Sequence, residues 1–167
     1  MAVARIPGRL APILLIAALM TFAPSVAASS GPAVRGGGVV DGPLGETSQL
    51  GFTATESGGS FLCVMAGRSG GFPFGPWQSI QQMHVQGRVT PGSLSISGGV
   101  ATFSGTATIH VVGTTSTGRL TMTLTGVPFT STQAAGGAGV AWHRLDVSGV
   151  GTFGPAAMKS GHITIWP

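Results

Sequence analysis

Four histidines, one cysteine and a neighbouring methionine are the side chains of this sequence best suited to chemistry. His84, His110, His143 and His162 supply imidazoles, and Cys63 and Met65 put a soft thiol and a thioether on one face of an extended segment. Imidazole with thiol and thioether is a copper-type donor set, and the imidazoles also suit zinc. Such sites usually draw their ligands from tight local spacings, whereas the two closest histidines, His143 and His162, are nineteen residues apart. Two imidazoles alone hold either metal weakly. A site at His84 and His110 would therefore need His143, His162 or a carboxylate to join it. The reading adopted is that no metal and no cofactor is bound.

Acid–base catalysis is no better served. Trp142-His143-Arg144-Leu145-Asp146 sets an aromatic ring, a titratable base and a carboxylate side by side. Alternate residues of a strand face opposite ways, so His143 and Asp146 point apart and make no dyad by themselves. Glycoside hydrolysis needs two converging carboxylates. Of Asp41, Glu46, Glu56 and Asp146, only Asp146 falls inside an expected strand. Gly67-Arg68-Ser69-Gly70-Gly71 spells a nucleophile elbow, but that device needs a helix after the serine, and Phe72-Pro73-Phe74-Gly75-Pro76-Trp77 cannot form one. Gly149-Val150-Gly151-Thr152-Phe153-Gly154 spells a dinucleotide fingerprint, yet Pro155 and at most a single turn follow where the phosphate-binding helix should start. The expectation is a non-enzymatic domain that binds or supports something. A metal-binding domain and a small secreted hydrolase are the alternatives.

The elements that must position these residues are strands. In Ala101-Thr102-Phe103-Ser104-Gly105-Thr106-Ala107-Thr108-Ile109-His110-Val111, apolar or glycine positions alternate with polar ones. Met83 to Val89 and Arg119 to Thr125 repeat the pattern, which marks strands with one face on a core and one in water. Further strands are expected at Gln49 to Thr55, Ser60 to Ala66, Ser93 to Ser97, Gly139 to Ser148 and His162 to Trp166, separated by glycine and proline. With 29 glycines and no stretch of helical period, the fold expected is all-β: a single small antiparallel barrel or sandwich of about eight strands. The threonines at Thr53, Thr55, Thr106, Thr108, Thr121, Thr123 and Thr125 follow no fixed period and read as the wet faces of strands.

Within that frame Cys63 lies in the apolar run Phe61-Leu62-Cys63-Val64-Met65 and is expected to be buried and inert. Phe72, Phe74 and Trp77 form an aromatic loop that either plugs one end of the core or meets a ligand. Together with Trp142 and His143 they are the candidate ligand-binding residues. The partner would be an unidentified ligand or surface.

The N-terminus says where the protein works. Arg5 and Arg9 precede the apolar run Leu10 to Phe22, and small residues lead to cleavage points after Ala27 or Ala28. That order is a secretory signal peptide, and its apolar core is shorter than the roughly 20 residues of a membrane-spanning helix. Residues 1–28 are thus read as a signal peptide, 29–46 as a flexible Gly/Pro leader and 47–167 as the folded domain. The destination is the cell surface, the periplasm or the medium, with no membrane attachment after cleavage. The net charge of +4 loses the contributions of Arg5 and Arg9 on cleavage, and the remaining cations are scattered. No phosphate track results, so nucleic acid is not expected as a partner.

Overall fold

The computed structural model describes residues 31–42, 45–69 and 75–167, in which every regular element is a strand. These are β1 (Ala33–Asp41), β2 (Thr47–Thr55), β3 (Gly58–Ser69), β4 (Ser79–Val89), β5 (Ser95–Ser97), β6 (Val100–Thr115), β7 (Gly118–Ala134), β8 (Gly136–Gly137), β9 (Trp142–Val147) and β10 (Gly151–Trp166). Eight of them follow one another as antiparallel neighbours in the order β1-β2-β3-β4-β6-β7-β9-β10, and β10 pairs back onto β1. The sheet is therefore a closed eight-strand barrel, not a sandwich. The two short strands lie on its rim, β5 against β6 and β8 against β10.

Closure depends on a segment that composition alone misreads. Ala33–Asp41, inside the stretch expected to be a flexible leader, is β1, registered on β2 at one edge and on β10 at the other. Its glycines permit close approach. A Cβ on Gly36 would come within 2.8 Å of the His162 carbonyl oxygen, and one on Gly38 would overlap the Ser160 carbonyl and the Met158 side chain. Small residues here let the first and last strands meet. The first described strand thus begins at Ala33, ahead of residue 47. The signal segment 1–28 lies outside the described residues.

Both spelled motifs run along strands where they are described, with Gly70 and Gly71 of the first outside the described residues. Gly67, Arg68 and Ser69 continue β3, and Arg68 and Ser69 are registered on Ile80 and Ser79 of β4. Gly149 and Val150 turn the β9–β10 hairpin, and Gly151 to Gly154 begin β10. No helix follows either one among the described residues.

The interior is filled by rings. Phe52, Phe61, Phe103 and Phe129 meet at centroid separations of 5.1–6.4 Å, within the range of favourable aromatic pairs. Phe129 of β7 fills the space left by two inward glycines: a Cβ on Gly87 or Gly105 would stand 2.5 or 2.9 Å from its ring. Met65, Ile80, Met83, Ile109, Leu145 and Met158 complete the packing. Period-two alternation is what delivers these residues to a common centre.

Candidate functional site

Several polar side chains are enclosed in the barrel. Ser131 and Gln133 of β7 are fully buried, and the Ser131 hydroxyl donates to Gln133 Oε1 at 2.9 Å. Glu46, Ser48, Cys63 and His143 are also buried, and with Leu145 and Ala156 they line a cavity of about 20 Å³. That volume admits one water molecule and no organic ligand.

His143 packs against the rings of Phe52 and Phe61, at 6.2 and 5.9 Å and nearly parallel to both. Neither of its ring nitrogens has a hydrogen-bond partner among the described residues. Burial without a partner disfavours the charged form, and the imidazole pKa falls to about 4. Burial likewise pushes the Cys63 thiol up to about 12, opposed in part by its hydrogen bond with Ser48. A protonated thiol and a neutral, enclosed imidazole make no nucleophile–base pair near neutral pH.

The four histidines do not converge on one point. His84 and His110 are direct cross-strand partners on β4 and β6, and His110 Nδ1 lies 2.9 Å from the Thr123 hydroxyl on the outer wall. His162 stands on β10 opposite Gly37 and Gly137, and His143 is inside. Among the described residues no three His, Cys, Asp or Glu groups come together as metal ligands.

The aromatic candidates also separate. Trp77 is 7% exposed and belongs to the core, its indole lying over Gly113 of β6. Phe72 and Phe74 lie outside the described residues. Trp142 and His143 take opposite faces of β9, so a ligand at one does not touch the other.

Trp142 is the candidate that faces outward with room around it. Its registered neighbours are Ala134 on β7 and Ala157 on β10, both too small to cover an indole. Two and four residues along the same face come Arg144 and Asp146. The Arg144 guanidinium donates to both Asp146 carboxylate oxygens, Nε to Oδ2 at 2.9 Å and Nη2 to Oδ1 at 3.0 Å. The Thr152 hydroxyl donates to Asp146 as well. The hydrogen bond from Arg144, aided by that from Thr152, holds the Asp146 carboxyl below its ordinary pKa despite some desolvation. Thr132 of β7 and Pro155 of β10 complete a surface hollow of about 430 Å³. The exposed Trp166 offers less, because the Arg35 guanidinium already lies over its ring at 5.3 Å. Arg144 and Asp146 were not among the sequence candidates, and the alternation along β9 is the signal that puts them on the face of Trp142. Thr132 and Pro155 come from other strands and could be found only through the register.

No protein-family model, no curated protein and no solved structure matches this chain. Its own residues therefore carry the functional argument.

Proposed function

We propose that this chain is an exported, non-enzymatic binding domain, a rigid barrel that presents a ligand shelf at Trp142 on its outer wall. The observation that carries the reading is the half-buried indole between two alanines, bordered by Thr132, the Arg144–Asp146 pair and Pro155. A flat apolar surface beside fixed donors and acceptors suits a ligand with an apolar face and a rim of hydroxyls, as a pyranose ring has. The packed interior supports the same reading, since its cavity beside His143 has no space for a substrate. Export rests on the arrangement of Arg5, Arg9, Leu10 to Phe22 and Ala27-Ala28.

Two measurements test the proposal. Protein recovered from culture medium or periplasm should begin after Ala27 or Ala28, and an intact Met1 on a cell-internal product would overturn export. Titration with a panel of neutral and acidic oligosaccharides should quench the tryptophan fluorescence. Trp142→Ala should abolish binding while keeping the β-type circular dichroism. Binding that survives this substitution would remove the shelf.

A further inference from the structure

The ladder along β7 changes halfway. From Phe129 to Ala134 the strand is registered on β6 at one edge and on β9 at the other. Just before this, the Ser148 N–H still donates to the Pro128 carbonyl at 3.0 Å. From Gly118 to Val127 the strand is registered on β6 alone, and no described strand pairs with its second edge. Leu120, Met122 and Leu124 there are half-buried against the core, while Thr121, Thr123 and Thr125 are exposed. An open edge of this kind offers unpaired N–H and C=O groups to another strand. Its guards are few: Arg119 is the one charge in the stretch, and Pro128 comes only after it.

The sequence of the edge says what fits it. Gly118-Arg119-Leu120-Thr121-Met122-Thr123-Leu124-Thr125-Gly126 reads the same in both directions about Met122, except that Arg119 stands opposite Thr125. Antiparallel pairing runs one strand against the reverse of the other, so a segment with this symmetry is complementary to itself. We propose that this edge of β7, unpaired among the described residues, is the interface of a symmetric dimer, two copies pairing antiparallel about a twofold axis at Met122. Met122 then faces its own equivalent, Leu120 faces Leu124 of the second copy, and Thr121 faces Thr123 of the second copy. The apolar row continues across one face and the threonine row across the other, and cross-strand pairs of both kinds stabilise a sheet. The contact is isologous, so it uses up both edges and stops at two. It does not depend on the Trp142 shelf.

Light scattering on the size-fractionated full chain tests this directly. The wild type should be a dimer. Thr121→Glu with Thr123→Glu sets glutamates opposite one another twice and should give a monomer, as should the matching pair of lysine substitutions. Mixing the two variants should restore a dimer, which also shows that both fold. Met122→Cys should form a disulfide between copies, because facing Cα atoms in an antiparallel pair lie about 4.5–5.5 Å apart, within disulfide reach. The native Cys63 is buried and does not compete. A wild type that is monomeric at every concentration would overturn the proposal. So would a dimer indifferent to the paired glutamates, or one that the thiols introduced by Met122→Cys fail to cross-link.

Discussion

The two faces of β9 hold the same number of residues and opposite chemistry. Inward, His143, Leu145 and Val147 are buried. Outward, Arg144 is exposed, and Trp142 and Asp146 are half-buried. The inner imidazole has no hydrogen-bond partner among the described residues and is held neutral among phenylalanines, while the outer carboxylate collects three hydrogen bonds and is held ionised. Residue type alone would assign the chemistry to the histidine. Position reverses this: the enclosed base packs among core rings, and the outward aromatic and ion pair are in contact with solvent.

The comparison breaks most visibly at Leu145, which is 1% exposed and registered between Ser131 and Phe153. Leu145→Ala should cost about 2–5 kcal/mol of unfolding free energy, through lost burial and the cavity left behind. Denaturant melts followed by circular dichroism measure this, and a cost under about 1 kcal/mol would mean that the inner face of β9 is not core.

The second effect belongs to His143. Its pKa falls from 6.5 to about 4 on folding, so between these values the unfolded chain binds more protons. Stability therefore rises with pH through that window, and acidification from 6.5 to 4 should remove about 3 kcal/mol. Asp41 and Asp146, both held below 3.8, contribute their own loss in the same direction, at the foot of this window and below it. His143→Leu removes the orphaned polar ring and should flatten this slope while leaving stability at neutral pH equal or higher. Parallel pH curves for wild type and variant would show that the imidazole is not enclosed.

Much of this architecture was legible because alternation is a local signal. Ala101 to Val111 and Arg119 to Thr125 show their inner and outer faces in the residues themselves, and both lie in long strands as expected. β1 was not legible. Its glycines look like a linker until Gly36 and Gly38 are seen against the backbone of β10, a partner more than a hundred residues away. The first half of β10 was hidden similarly, since Gly154 and Pro155 interrupt its pattern where the register on β9 shifts. Of the candidate site, Trp142 could be named from the sequence. Trp77 could not be sorted into plug or ligand contact, because that depends on its lying over Gly113 of β6.

On the outer face the expected effects on stability are smaller. Trp142→Ala removes a half-buried ring that has alanines on either side. About 1 kcal/mol of stability should go with it, well under the cost at Leu145, since only part of the indole leaves water on folding. Loss of oligosaccharide binding at that small cost would mark a surface site. A loss of stability as large as that of Leu145→Ala would instead mark the indole as structural and erase the distinction between the two faces.

Arg144 should matter least to stability. Its guanidinium pairs with Asp146 in contact with solvent, where Coulomb attraction is weak and the ordering of a long side chain offsets it. Asp146 keeps its hydrogen bond from Thr152 when the guanidinium is removed, and it remains partly hydrated. Arg144→Ala should therefore leave the denaturation midpoint unmoved. Raising salt to about 1 M, where charges are screened beyond about 3 Å, should change wild type and variant alike. Binding is the measurement in which this residue should count, because a guanidinium fixed in the plane of a carboxylate presents its remaining N–H groups in one fixed direction. If Arg144→Ala lowers stability as much as Trp142→Ala while oligosaccharide binding is unchanged, the pair is a structural clamp on the β9–β10 hairpin. The ligand surface must then lie elsewhere on the barrel wall.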